Sequence, residues 1–238
     1  MNFSKNDVCR QPLVNKDLVD NLLDDGIYNS NDKKVRRSVA KILANLADTN
    51  EESNARRHSQ LVEKGVIRAA HYFLHGHDYE LKSSTAKMLS MITMNERVRD
   101  IVTKSGIIAP LCKLVNQQDP EICAWVARAL AELADTRGNE SVLVEAGCLP
   151  CLIFIISPRC RHKEAKLDAV RCFSSLSSHD RTKLKIVASG ALGYLITISK
   201  SGQGLGKMYA LATLTNLEHD PAALRIQMIF RGFLGRSK

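Results

Sequence analysis

The chain has 238 residues, of which 25% are charged, 45% apolar and 5% aromatic, with a formal net charge of +9. These proportions are those of a globular protein with an aliphatic core. No stretch approaches the ~18 apolar residues of a membrane span; the longest apolar run, around Cys151 to Ile156, is closed by Pro158. The positive excess favours acidic partners, namely an acidic protein segment, nucleic acid or an anionic membrane surface; it is spread along the chain with no polybasic tail, and nucleic acid is not the partner expected.

Residues 1–12 read as a tail without an apolar signal segment. The seven cysteines, odd in number and irregular in spacing, then read as reduced thiols in the cytoplasm. A helix is predicted from Lys16 to Asp25, and a longer one around Ala40 to Ala47, opened by Lys33-Lys34-Val35-Arg36-Arg37. That basic run has two readings, ordinary residues opening a helix or a short nuclear-localisation cluster, which extends the expected compartments to the nucleus. Next come Gln60 to Gly65 and an apolar run from Val66, whose end carries His71, His75 and His77; these read as a surface helix end. Helices follow over Ala86 to Thr93, Ile101 to Lys104, Ala127 to Ala134, Leu143 to Ala146, Val170 to Ser177, Ile186 to Ser189 and Leu211 to Glu218. Asp119-Pro120 lies between them and Asp220-Pro221 after the last, each an N-cap followed by Pro at the first helical position. The string Gly202-Gln203-Gly204-Leu205-Gly206-Lys207 lacks the GxxxxGK[ST] spacing of a phosphate cradle and reads as a flexible loop.

Two markers recur in phase. The glycines Gly65, Gly106, Gly147, Gly190 and Gly232 step by 41, 41, 43 and 42 residues, each behind a short amphipathic run and before an apolar one. The segments starting at Ala40, Ala86, Ala127, Val170 and Leu211 step by 46, 41, 43 and 41. Apolar residues at i, i+3, i+4, i+7 and the lack of sustained alternation make each unit helical. A unit is read as a short helix ending near the Gly, a second helix, a polar turn and a longer third helix. The Gly suits a tight corner where a Cβ would clash or where φ must be positive.

These residues resemble the armadillo-repeat family, whose third helix carries Ala-x-x-Leu-x-Asn-Leu. Ala40 to Leu46 and Leu211 to Leu217 fit it best. The resemblance implies an all-α, right-handed superhelical solenoid of armadillo-type three-helix repeats, with third helices lining a concave groove for protein partners. Residues 13–218 hold about five repeats, the first lacking its first helix, and residues 219–238 begin a sixth or form an IQ-like helix. The chain is expected to be a piece of a longer protein.

In members of the family that clamp an extended peptide, the third helix offers an Asn with a Trp four residues before it. Here the Asn position reads Asn45, Met91, Glu132, Ser175 and Asn216, and the Trp position reads Lys41, Lys87, Arg128, Arg171 and Ala212. Residues four apart share a helix face, so four successive units are expected to place a cation beside the groove. The candidate groove residues are therefore Lys41, Asn45, Lys87, Arg128, Glu132, Arg171 and Asn216, facing acidic or phosphorylated segments. The ordinary reading is a solvated cationic face.

Ile226, Gln227, Arg231, Gly232 and Arg236 match the IQ pattern, which implies calmodulin as a second partner. The repeat period explains the Ile and Gly without calmodulin, and both readings stand. Cys148-x-x-Cys151, with Cys160 and His162 nearby, falls in an apolar slot of the repeat and reads as core, not as a zinc site. No HExxH, no GxSxG and no nucleophile with a nearby base is present, so neither catalytic residue, metal nor cofactor is expected. The rival of another class is a helical accessory domain serving an enzyme part beyond Lys238.

Overall fold

The computed structural model describes residues 13–14, 17–48 and 54–218, which contain helices and no strand. They form two compact units that divide at Asn116 and Gln117.

In the first unit the described residues form α1 (Leu18–Leu23), α2 (Lys33–Ala47), α3 (Asn54–Glu63), α4 (Val66–His75), α5 (Tyr79–Ile92), α6 (Glu96–Lys104) and α7 (Ile108–Cys112). The helix expected from Lys16 to Asp25 is shorter as an α-helix and continues as a π turn over Asp24–Tyr28. Gly26 makes that turn fit: a Cβ there would meet Val39 Cγ2 of α2 at 2.6 Å. The second unit holds α8 (Pro120–Ala134), α9 (Glu140–Glu145), α10 (Cys148–Ile156), α11 (Lys163–Ser177), α12 (Asp180–Ala188), α13 (Leu192–Ser201) and α14 (Gly204–Glu218). The long third helices stack directly: α2 on α5 in the first unit, and α8 on α11 on α14 in the second.

The corner glycines have φ of +88° at Gly65, +79° at Gly106, +86° at Gly147 and +85° at Gly190. No heavy atom lies within 4 Å of a Cβ built on any of them. The left-handed backbone, and not crowding, is what selects glycine at the corner.

A second local device starts the third helices. Asp32, Asp78 and Asp119 accept hydrogen bonds from backbone N–H groups of α2, α5 and α8, and His162 does the same for α11 through Nδ1. Such caps satisfy donors that a helix start leaves open. Pro120 sits at the first turn of α8, as its sequence predicts. The glycine-rich string departs from expectation: α14 already begins at Gly204, so Gly204 to Lys207 form its first turn and only the residues before it are loop.

The far ends of the third helices are closed by the helices that follow. His58 Nε2 lies 2.9 Å from Ala47 O, and Arg57 Nη2 donates to Asp48 O at 3.0 Å. Arg99 Nε donates to Thr93 O at 2.7 Å, Asn139 Nδ2 to Leu133 O at 3.1 Å, and Thr182 Oγ1 to Leu176 O. All five side chains are buried. These side chains meet carbonyls at the helix ends, where backbone partners run out; Leu133 O and Leu176 O also accept from the N–H groups of Thr136 and His179. Aliphatic residues fill the core, with Phe73 and Phe173 its largest fully buried side chains.

Candidate functional site

The third helices carry the sequence-predicted ladder. Lys41 on α2 and Lys87 on α5 belong to the first unit, Arg128 on α8 and Arg171 on α11 to the second. The structure adds a carboxylate to every rung. Lys41 Nζ donates to Glu80 at 2.7 Å, and Lys87 Nζ to Asp48 at 2.8 Å. Arg128 Nε stands 3.8 Å from Asp168 and its guanidinium lies 5.7 Å from the centre of the Trp125 ring. Arg171 meets Glu132 at 2.8 Å, Asp135 at 2.8 Å and Asp168 at 3.5 Å.

The second-unit cluster is partly withdrawn from water. Burial pushes the Asp168 carboxyl up, and the neighbouring Arg171 and Arg128 offset this only in part. Burial also opposes the charge on Arg171, but the hydrogen bond to Glu132 and the charges of Glu132, Asp135 and Asp168 outweigh it and raise its pKa. In the first unit, the hydrogen bond from Lys41 and the charge of Arg37 hold the Glu80 carboxyl below its usual range.

The Asn positions divide. Glu132 serves as an acceptor for Arg171. Asn216 Nδ2 donates to Ser177 Oγ at 3.0 Å. Ser175 Oγ donates to Asp135 at 2.5 Å, and Met91 is buried. Asn45 is half-buried on α2. Sequence reasoning missed Asp48, Glu80, Asp135 and Asp168. A signal for two of them was present: Asp48 and Asp135 each sit three residues after an Asn position, at Asn45 and Glu132.

Charge is unevenly distributed among these helices. Helix α2 carries Lys33, Lys34, Arg36, Arg37 and Lys41 and no acidic residue. Helix α8 carries Glu121 and Glu132 against Arg128. The cationic surface is therefore strongest on α2.

Chemistry elsewhere is sparse. All six described cysteines are buried. Burial, with Cys160 beside it, pushes the Cys123 thiol up to about 12, so that thiol stays protonated at neutral pH. Cys148 and Cys151 lie in α10 among its buried residues, as the core reading expects. Among the described residues no group of three or more His, Cys, Asp or Glu could hold a metal ion. Ile226, Gln227, Arg231, Gly232 and Arg236 lie outside the described residues.

No family model matches the chain. Over 137 residues it is 26% identical to Vacuolar protein 8 of Candida albicans, a match taking in 57% of this chain. It spans 23% of that protein's length. A designed armadillo repeat protein superposes with a TM-score of 0.78 at 19% identity, over 90% of this chain and 89% of the design. The fold is that of the armadillo repeat. A second armadillo design, solved in complex with the peptide (KR)4, superposes with a TM-score of 0.76 at 20% identity, over 90% of this chain and 88% of that one. The ladder cations thus stand on the third helices of armadillo repeats. No described helix is long and apolar enough to cross a membrane.

Proposed function

We propose that this armadillo chain is a non-catalytic protein-interaction scaffold whose third-helix surfaces hold an acidic or phosphorylated segment of a partner. The observation that carries the reading is the set Lys41, Lys87, Arg128 and Arg171 at one position of four successive third helices. A design of this fold holds the cationic peptide (KR)4. On α2, which carries five cations and no acidic residue, a cationic peptide is repelled and its opposite attracted. Because each rung already meets a carboxylate, a partner's acid must compete with Glu80, Asp48, Asp168 or Asp135 for its cation. Competition is easiest at Lys41, whose side chain is 59% exposed, and hardest at Arg171, at 22%.

The test is a fluorescence anisotropy titration of the whole chain with a labelled alternating Glu-Ala peptide and with (KR)4. Binding of the acidic peptide alone, weakening as salt rises, is the expected result. Tighter binding of (KR)4 would overturn the reading. A calmodulin-regulated scaffold is the second reading. It is favoured by the IQ-like string, whose Gln227, Arg231 and Arg236 the repeat period does not explain.

A further inference from the structure

The ladder leaves unused a separate concentration of charge in the first unit. A cleft of about 790 Å³ opens between the start of α2, the end of α4 and the start of α5. Its walls include Lys33, Arg36, His71, Tyr72, His75 and His77. Lys41 and Lys87 do not line it.

Three observations describe its chemistry. The first concerns charge. Asp78, the acidic residue of the lining, is already engaged: it caps α5 and receives Arg37 Nε at 2.8 Å. Among the described residues neither Lys33 nor Arg36 meets a carboxylate within ion-pair distance. Among the described residues their two positive charges thus have no ion-pair partner inside a concave site, where the field of like charges is focused.

The second concerns preorganisation. Arg36 is held through Nε to Ser30 O at 2.8 Å and through Nη2 to Asn31 Oδ1 at 3.4 Å, and its guanidinium lies 5.4 Å from the centre of the Tyr72 ring. Tyr72 is in turn braced edge-on by Tyr28, with centroids 6.4 Å apart. A guanidinium fixed in this way loses little side-chain entropy when it binds an anion.

The third concerns the histidines. His71 Nε2 lies 2.8 Å from Ser105 O and His75 Nδ1 lies 2.8 Å from His71 O. A carbonyl only accepts, so each of these nitrogens carries the proton. The two rings stack with centroids 6.0 Å apart.

We infer that this cleft is a second recognition site, which receives the phosphate of a phosphorylated side chain on a partner protein. An Arg and a Lys supply charge-assisted bonds to phosphate oxygens, and Tyr72 and Tyr79 offer exposed ring surface to the residues around it. The cations gather in one concave corner and form no stripe, so they suit a single phosphate and not the tracked backbone of a nucleic acid strand. The inference stands independently of the ladder, since its residues are different.

The experiment is NMR of the imidazole nitrogens of the whole chain, titrated with inorganic phosphate, N-acetyl-O-phosphoserine amide and its unphosphorylated counterpart. Saturable shifts at His71 and His75 with the phosphoserine compound and with phosphate, and none with the unphosphorylated one, are expected. Lys33→Gln with Arg36→Gln should weaken phosphoserine binding by about tenfold or more, whereas Lys185→Gln with Lys200→Gln, exposed residues of the second unit that do not line the cleft, should leave it unchanged. An unchanged melting temperature shows that the first double variant is folded. Shifts that rise linearly and equally in both double variants would overturn the site. So would tighter binding of a single-stranded oligodeoxynucleotide than of the phosphoserine compound. If the acidic Glu-Ala peptide fails to bind while phosphoserine still does, the groove reading falls and this one stands.

Discussion

Arg171 reaches back from α11 to Asp135 at the end of α8, at 2.8 Å, and Lys87 makes the same reach from α5 to Asp48 at the end of α2, also at 2.8 Å. Each cation sits four residues before its own Asn position, and each aspartate three residues after the Asn position of the preceding repeat. The two bridges are one contact repeated, and each ties a third helix to its neighbour.

The repeated contact differs in weight between its two occurrences. Arg171 also binds Glu132 and Asp168, and the side chains of Arg171, Glu132 and Asp168 are 22%, 17% and 18% exposed. Arg171→Leu removes a cation shared by three carboxylates, of which Asp135 keeps the Ser175 hydroxyl and Asp168 keeps Arg128, and is expected to cost about 2–4 kcal/mol. Lys87→Leu at its more open bridge should cost about 0.5–1 kcal/mol. Urea unfolding of the two variants checks this, and equal losses would contradict it.

His58 gives the chain a pH dependence of stated sign. Burial lowers its pKa from the ordinary 6.5, so the unfolded chain takes up a proton before the folded one does. Its contribution to stability is complete above about pH 6.5 and is lost as pH falls from there through the folded value, by at most about 1.4 kcal/mol per pH unit. His58→Gln keeps a donor for Ala47 O and removes the titration. Melting curves between pH 7 and 5 should fall less steeply for this variant than for the parent, and parallel curves would contradict the assignment.

Two glycines should respond oppositely to alanine. Gly147 has a φ of +86°, so Gly147→Ala forces a left-handed backbone and should cost about 1–2 kcal/mol. Gly193 lies within α13, exposed, with nothing near its Cβ position. Gly193→Ala should add about 0.5–1 kcal/mol. Thermal unfolding of both reads the two signs directly.

Calorimetry of the whole chain against calmodulin, with and without calcium, tests the IQ-like string. Heat that disappears in an Ile226→Glu, Arg231→Glu double variant is the expected result of that reading. Absence of heat in both conditions removes it.

The repeat and its internal punctuation were legible because they are local. A left-handed corner selects Gly65 or Gly147 from within its own few residues, and Asp119 caps a helix that starts at the next position. The ladder cations could be placed on a face by spacing alone. Their partners could not: Asp48 lies 39 residues from Lys87, and Asp135 lies 36 from Arg171. Only the stacking of α2 on α5 and of α8 on α11 brings them together. Glu132 was expected at a groove position, and nothing in its sequence neighbourhood marked it as the acceptor for Arg171. The cleft at Arg36 was hidden for the same reason, because its walls come from three helices. The string at Gly204 misled because two further glycines read as a loop, whereas the stacking of α14 on α11 carries them into a helix.

The most direct measurement is a charge inversion at the two rungs of the first unit. Affinities of the parent and of Lys41→Glu with Lys87→Glu are measured for the Glu-Ala peptide and for (KR)4 at one ionic strength. If the third helices select partners by charge, the parent holds the acidic peptide and the variant loses it by about tenfold or more while gaining the basic one. An unchanged preference in a variant that still folds would contradict the account.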